Sequence, residues 1–165
     1  IAAAYFFRGD HPTALDYAQR AVKLNPSNSS GFFWQGLAQV HIGEYQQGEE
    51  SILKGIELNP AAPNMNYYNA THYFALLGKE RYDEALVAID KALRQHKSGH
   101  HLGFRAAVLG HLERGSEAKA ALDQYLTLRP NLKTRDDYRS IFVPNSALAD
   151  PIIEGLVKAG WEPKE

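Results

Sequence analysis

The 165-residue sequence contains no cysteine, and this absence excludes several kinds of chemistry. Disulfide frameworks, thiolate zinc sites and cysteine nucleophiles all require that residue. Both the cytosol and the periplasm hold proteins without cysteine, so this absence does not fix the compartment.

An excess of charge of either sign is also missing. The chain has 18 basic and 19 acidic residues and a formal net charge of −1. Proteins that bind nucleic acid or an anionic membrane usually carry a basic face. We therefore expect neither a nucleic acid nor a membrane as a partner.

Long apolar runs are absent as well. No run approaches the roughly 20 residues that a membrane-spanning helix needs. The sequence has no signal-peptide pattern either, and we predict a cytoplasmic location. Its first residues, Ile1 to Phe7, have the composition of a helix interior. We interpret the chain as part of a longer protein, whose catalytic activity, if it has one, would lie outside these residues.

The sequence lacks the common catalytic and nucleotide-binding motifs. It has no P-loop, no dinucleotide fingerprint and no nucleophile elbow. Its adjacent carboxylate pairs, Glu49-Glu50 and Asp136-Asp137, would point about 100° apart on a helix and would not form a catalytic dyad. We predict that the chain is not an enzyme and that it binds no cofactor.

Seven histidines raise the question of a metal site. Three of them, His96, His100 and His101, lie within six residues, but no H-E-x-x-H spacing occurs. We predict no metal site and interpret the histidines as solvated or groove-lining. A pH-sensitive groove is the better alternative, because histidine titrates near neutral pH.

An internal repeat is the main feature that is present. The segments 21–26, 55–60 and 125–130 end alike, each with leucine two positions before proline. Pro26 and Pro60 are 34 positions apart, and Pro60 and Pro130 are twice 35 apart. A fourth unit is therefore expected between them, and residues 80–85 are similar to residues 43–48.

This period resembles that of the tetratricopeptide repeat (TPR) family. The family places small residues where its two helices touch, because small side chains let helix axes approach closely. The matching positions include Gly9, Ala14, Ala21, Gly36, Gly43, Gly48, Gly78, Ala85, Ala92, Ala106 and Ala118. The third unit departs from the pattern, because Lys97 stands in place of its closing proline.

The resemblance implies an all-α fold, an α-α superhelix (TPR solenoid) of about four helix-turn-helix repeats with a C-terminal capping helix. We expect repeats at 1–26, 27–60, 61–97 and 98–130, the first truncated, and a capping segment at 131–165. Apolar periodicity predicts helices at 1–8, 11–24, 28–42, 45–58, 63–77, 81–95, 99–113 and 116–128. Asp10 before Pro12, and Ser116 before Glu117, are typical of helix starts.

The tail after residue 130 does not repeat. Tyr138, Ile141 and Phe142 are apolar, and Asp150-Pro151 predicts the start of a short helix that Gly160 ends. A terminal helix of this kind usually covers the last apolar face of a repeat stack.

The tail also resembles the C-terminal end of bacterial signalling proteins. Phe142, Asp150-Pro151, Leu156 and residues 158–163 carry this resemblance. In those proteins a class III adenylate/guanylate cyclase domain or a winged-helix DNA-binding domain precedes the TPR repeats. The resemblance implies that the catalytic or DNA-binding domain lies upstream of Ile1.

The family resemblance also implies a binding site. TPR proteins line their concave face with first-helix residues, which here would bind a protein or peptide. The candidate partner-binding residues are Phe6, Phe7, Phe33, Leu37, Val40, His41, Met65, Tyr68, His72, His100, Ala107 and His111. For Phe33 and Tyr68, packing between neighbouring helices is the alternative. The Lys, Asn and Arg set that grips a C-terminal carboxylate in one TPR subclass is missing.

Two functions remain open at this point. The first is an interaction scaffold that binds a peptide or helix in the concave groove. The second is a regulatory or self-association module, which forms a homodimer or packs on an upstream domain. An exposed apolar face near Ile1 would favour the second.

Overall fold

The computed structural model describes residues 1–164, which form ten α-helices joined by short turns. The helices are α1 Ala2–Phe7, α2 His11–Leu24, α3 Ser29–His41, α4 Tyr45–Leu58, α5 Met65–Gly78, α6 Tyr82–Gln95, α7 Gly99–His111, α8 Gly115–Thr127, α9 Arg135–Ile141 and α10 Ala149–Lys158. In this part of the chain, extended pairing is confined to one parallel bridge between Thr134 and Lys164. The all-α prediction is confirmed.

The first eight helices form four pairs that stack side by side. Helices α1 and α2, α3 and α4, α5 and α6, and α7 and α8 pack within their pairs, and each pair packs on the next. The four-repeat solenoid expected from the sequence is therefore confirmed.

Small residues lie where helices approach each other closely, and several of these positions were predicted from the repeat pattern. A Cβ at Gly36 would lie 3.0 Å from the Gly48 carbonyl oxygen in α4, and a Cβ at Gly78 would clash with the Tyr45 ring. In the fourth pair, a Cβ at Gly103 would lie 2.9 Å from the Tyr125 ring. These contacts fill the grooves between helices at the density of a protein interior.

The turn inside each pair uses one residue in the left-handed region. Its φ is +79° at Gly9, +88° at Gly43, +58° at Glu80 and +56° at Glu113. A left-handed residue ends a helix and lets the chain reverse, and glycine adopts this conformation without steric cost. The third and fourth repeats use glutamate there, which makes the conformation strained.

Most helix ends lie within two residues of the predicted ones, and one predicted start is wrong. Ser116 lies inside α8, which begins at Gly115 with Arg114 as its N-cap. No side chain caps the amides at this helix start, and the Arg114 guanidinium instead forms an ion pair with the Glu117 carboxylate (2.8 Å). Asp10 caps α2 as expected, because its carboxylate accepts from the Thr13 amide (3.2 Å).

The tail contains one helix more than the sequence analysis predicts. Helix α9 begins with a capping box, in which the Thr134 hydroxyl accepts from the Asp137 amide and the Asp137 carboxylate accepts from the Thr134 amide. Threonine followed three positions later by an acidic residue is a recognised start signal. The signal was therefore present in the sequence and was missed.

Candidate binding groove

The first helices of the repeats form one face of the solenoid, and the C-terminal tail lies on it. The groove is defined here as the surface made by Phe6, Gly9, His11, His41, Phe74, Phe104, Ala107, Gly110 and His111. Helix α10 packs along α7, and the tail segment (residues 142–148) runs from α9 across α5 and α3 to α2. The chain therefore fills its own groove.

Phe142 is the apolar anchor of the tail segment. Its ring lies 5.8 Å from the His41 ring, 6.1 Å from Phe74 and 6.1 Å from Phe104, between ring centroids. Tyr138 stacks on it from α9 at 5.6 Å. Three solenoid helices thus contribute rings to one site, which buries the Phe142 side chain. Burial of a ring of this size contributes about 2–3 kcal/mol.

The next residues of the tail segment bind through polar groups to the first two repeats. His11 Nε2 donates to the Pro144 carbonyl oxygen (2.8 Å), and the Ala147 amide donates to the His41 carbonyl oxygen (2.9 Å). Asn145 Nδ2 donates to the Gly9 carbonyl oxygen (3.3 Å). Two of these contacts use only the backbone of the tail segment, so they constrain its path more than its sequence.

Helix α10 occupies the part of the groove that α7 lines. Gly155 meets Gly110 and Ala107, and a Cβ on either glycine would clash with the backbone of the facing helix. His111 Nε2 donates to the Pro151 carbonyl oxygen (2.8 Å) near the start of α10. Close helix crossing of this kind depends on small residues in both partners.

The candidate residues separate into two groups in the structure. His41, Ala107 and His111 contact the tail in the groove. Phe6 packs edge-on against the His41 ring, and Phe7 is 68% exposed beside it. The others pack within the solenoid: Phe33, Leu37, Val40, Met65, Tyr68, His72 and His100. Their role in binding a partner stays a prediction.

Contacts within the solenoid explain why several of these side chains are occupied. Phe33 packs on Tyr68 at 4.8 Å, the alternative that the sequence analysis gives for this pair. His72 lies 3.4 Å from the Glu49 carboxylate of α4, and His100 accepts from Arg129 (2.9 Å). Each of these side chains therefore has a partner within the solenoid.

Sequence reasoning missed Phe74, Phe104 and Gly155, which shape the groove. On α5 the predicted row of Met65, Tyr68 and His72 would continue three positions later, next to Phe74. A helix turns 100° per residue, so an error of one position moves a side chain to another face. Phe74 lies six positions before the turn residue Glu80 and Phe104 lies nine positions before Glu113, so no shared repeat position marked these two rings.

The pKa shifts of the titratable groups at the tail favour their uncharged forms. Burial, with a smaller effect of His11, lowers the pKa of His41 to about 3. Burial also lowers the pKa of His11, against its bond to Pro144 and the charge of Asp10. In α9 itself, burial raises the pKa of Tyr138 well above its usual value. An uncharged, aromatic groove of this kind suits an apolar polypeptide segment.

A second polar cluster joins the second repeat to the third. The buried Glu49 carboxylate accepts from Lys79 Nζ (2.7 Å) and from Arg81 (2.9 and 3.0 Å). Burial raises the pKa of Glu49, but hydrogen bonds from Lys79 and His72 and the charge of Arg81 outweigh burial and lower it overall. The cluster holds neighbouring repeats together and lies outside the groove.

Metal-binding clusters and membrane-spanning helices are not found in the described part of the chain. Within residues 1–164, no three His, Asp or Glu side chains come together in a way that would hold a metal ion. None of the ten helices described above is long and apolar enough to cross a bilayer.

Comparison with known proteins supports the tetratricopeptide repeat family. Residues 1–63 match the family model for the tetratricopeptide repeat. A 60-residue stretch is 35% identical to small glutamine-rich tetratricopeptide repeat-containing protein 2 of Mycosarcoma maydis, and covers 36% of this chain and 17% of that protein. A stretch of 60 residues is also 28% identical to an uncharacterized protein of Methanocaldococcus jannaschii. This match covers 36% of this chain and 70% of that protein.

Solved structures agree with the fold over almost the whole chain. A crystal structure of MamA superposes with a TM-score of 0.66 at 18% identity, over 96% of this chain and 92% of that one. TTC0263, a thermophilic TPR protein of Thermus thermophilus, superposes with a TM-score of 0.64 at 21% identity. The superposition covers 96% of this chain and 86% of that one. The chain therefore has the fold of a TPR solenoid, which typically serves as a non-catalytic scaffold for protein–protein interaction.

Proposed function

We propose that this TPR solenoid is a protein-interaction scaffold whose groove binds a segment of a partner polypeptide in place of the chain's own tail. The observation that supports the proposal is the seating of Phe142 between His41, Phe74 and Phe104. A groove that accepts an extended segment and a helix from its own chain has the shape and chemistry to accept them from another.

The bound tail indicates which partner the groove would select. One aromatic side chain enters the three-ring site, and the following residues bind mainly through backbone atoms. The helix that follows needs a small residue where it crosses α7. A partner segment with an aromatic residue and a following helix that has glycine or alanine at the crossing meets these requirements.

A partner must compete with a segment that is already tethered. A tethered ligand acts at an effective concentration of millimolar order, so a free peptide binds weakly until the tail is released. Variants that weaken the tail should therefore increase the affinity for an added peptide.

This proposal is tested with a fluorescent peptide that has the sequence of residues 139–150. Fluorescence anisotropy should show saturable binding to Phe142→Ala, with a Kd at least about tenfold lower than for the wild-type chain. A peptide with alanine at the Phe142 position is the control and should not bind. If the peptide binds neither Phe142→Ala nor Gly155→Leu, although amide exchange shows that the tail is released, the proposal is wrong.

One observation favours the second function, self-association or regulation of another domain. Ile1 is 81% exposed and Leu24 is 88% exposed, beside an apolar groove of about 430 Å³ along Ala18, Ala21 and Trp34. Exposed apolar surface of this kind marks interaction sites. Light scattering over a concentration series tests this function, because a dimer that Leu24→Glu abolishes would support it and a monomer at all concentrations would oppose it.

The resemblance of the tail to cyclase-like and winged-helix regulators adds to this second candidate. In such a protein the repeats would pack on an upstream output domain and set its activity. Of the residues that carry the resemblance, Phe142 lies in the groove, Asp150-Pro151 and Leu156 belong to α10, and residues 159–163 follow α10. A signalling parent of bacterial origin and a cytoplasmic location stay predictions.

A further inference from the structure

Two histidines lie side by side beneath the tail segment. The rings of His11 and His41 are 5.2 Å apart between centroids, and only 1% of each residue is exposed. They come from different repeats, His11 from the start of α2 and His41 from the end of α3. The tail segment makes hydrogen bonds to both residues, since Pro144 binds the His11 ring and Ala147 binds the His41 carbonyl.

Aromatic rings surround the His41 imidazole. Phe6 lies edge-on at 4.8 Å, Phe74 lies at 5.6 Å, and Phe142 of the tail stacks on it at 5.8 Å. Both of its ring nitrogens are buried and have no hydrogen-bond partner among the described residues. An imidazole in such surroundings is held in its neutral form, because a charge there would lose its hydration without gaining a partner.

His11 has one polar contact on its ring. Its Nε2 must carry the proton, because the Pro144 carbonyl can only accept. Its Nδ1 is buried and has no partner within residues 1–164. A second proton on this ring would therefore place a buried, unpaired N–H next to His41.

We propose that protonation of His11 and His41 releases residues 142–148 from the groove, so that the groove opens in acid. The tail segment covers both rings, and its departure would expose them to water, where the charged form is stable. This regulation rests on the proposed function, since an open groove matters only if a partner segment enters it.

The charges on the surrounding elements are consistent with this proposal. Helix α1 contributes Phe6, α5 contributes Phe74 and the tail contributes Phe142, all uncharged. The charges that act on the pair are Asp10, which favours a charged His11, and His11 itself, which disfavours a charged His41. Burial outweighs Asp10, so the pKa of both histidines is lowered while the tail is in place.

The sign of the pH effect follows from these directions. A histidine whose pKa is lowered in the closed state favours closure fully above its ordinary pKa, about 6.5. That contribution is lost as the pH falls from about 6.5 toward the pKa in the closed state, which is about 3 for His41. The opening equilibrium should therefore rise about tenfold per pH unit below 6.5 from His41 alone.

Amide hydrogen exchange tests the release directly and requires no partner. The Ala147 amide, which is bonded to the His41 carbonyl, is followed at about pH 7.5 and pH 5.5 in the full chain and corrected for the intrinsic exchange rate. Its opening equilibrium should rise at least about tenfold between these values. The amide of Thr127, the last residue of α8, exchanges by local fraying that leaves the tail in place, and its opening equilibrium should not change after the same correction.

Variants assign the effect to the histidine. In His41→Phe the acid-induced rise in the Ala147 opening equilibrium should be about tenfold smaller, because an apolar ring fills the site without titrating. His41→Leu serves as the second variant if the first does not fold. The control is His72→Gln, a half-buried histidine that contacts Glu49 and lies away from the tail, and it should keep the full rise. An Ala147 opening equilibrium that does not change with pH, or that rises equally in the folded His41 variant, overturns the proposal.

The peptide titration at about pH 5.5 separates this proposal from the proposed function. Acid opening of the tail without binding of the residue 139–150 peptide would uphold the histidine switch and reject the receptor function. Binding of this peptide to Phe142→Ala, without acid opening of the tail in the wild type, would uphold the receptor function and reject the histidine switch.

Discussion

The Phe142 ring stacks on the His41 imidazole with its plane inclined by 28° and its centroid 5.8 Å away. This contact joins the non-repeating tail to the second repeat, about 100 positions earlier in the chain. Because the same contact covers the groove, the free energy of tail docking also sets how accessible the groove is. Substitutions that act on docking should therefore change stability and binding together.

Replacement of Gly155 by leucine should detach α10 from α7. A Cβ at this position would meet the Ala107 carbonyl and lie 2.7 Å from the His111 ring, so the helices must separate. We expect a loss of about 2–3 kcal/mol in the free energy of unfolding, or local release of α10, measured by urea denaturation and amide exchange. Gly115→Ala is the control, because a Cβ there meets nothing within 4 Å. Equal stability of Gly155→Leu and wild type would mean that α10 does not pack as described.

Replacement of Glu49 by glutamine should weaken the contact between the second and third repeats. The change removes the charge that Lys79 and Arg81 share and leaves two cations close together. Because these cations are partly exposed, we expect a loss of about 1–2 kcal/mol in urea denaturation. The adjacent Glu50→Gln is a matched control on the exposed surface and should change stability by less than about 0.5 kcal/mol. Similar losses in both variants would argue against a specific role for Glu49.

Replacement of Glu113 by glycine should stabilise the protein. Glu113 has a φ of +56°, a conformation that costs a side chain about 1–2 kcal/mol and costs glycine little. After the greater flexibility of unfolded glycine is subtracted, a net gain of about 0.5–1 kcal/mol is expected in thermal or urea unfolding. Glu117→Gly, inside α8, should instead lose about 0.5–1 kcal/mol. A loss in both variants would contradict the argument from backbone strain.

Replacement of His41 by phenylalanine should reduce the acid sensitivity of global unfolding. The pKa of His41 is lowered to about 3 in the folded chain, so its neutral form stabilises the fold above about pH 6.5 and that contribution is lost at lower pH. Between about pH 7.5 and pH 5, His41 alone should account for a loss of about 2 kcal/mol. Urea denaturation at both pH values, compared between wild type and variant, gives this difference. If both proteins lose equal stability in acid, His41 is not the residue responsible.

The sequence by itself determined the repeat architecture of this protein. The 34-residue period, the prolines at 26, 60 and 130 and the small residues in contact positions specify paired helices locally, because each signal acts over one or two turns. The eight solenoid helices follow from them to within about two residues. The missing proline at Lys97 did not change the pairing of the helices.

Only the tertiary structure decided what the groove contains. A peptide-binding face could be inferred for first-helix residues, but Phe33, Tyr68 and His72 turned out to pack between helices, because their orientation depends on the rotation of each helix against its neighbours. Phe142 looked like an ordinary tail residue, and no local pattern connects it to His41. Apolar burial is non-directional and does not specify which distant residues meet, so the closed groove appears only when the whole chain is folded.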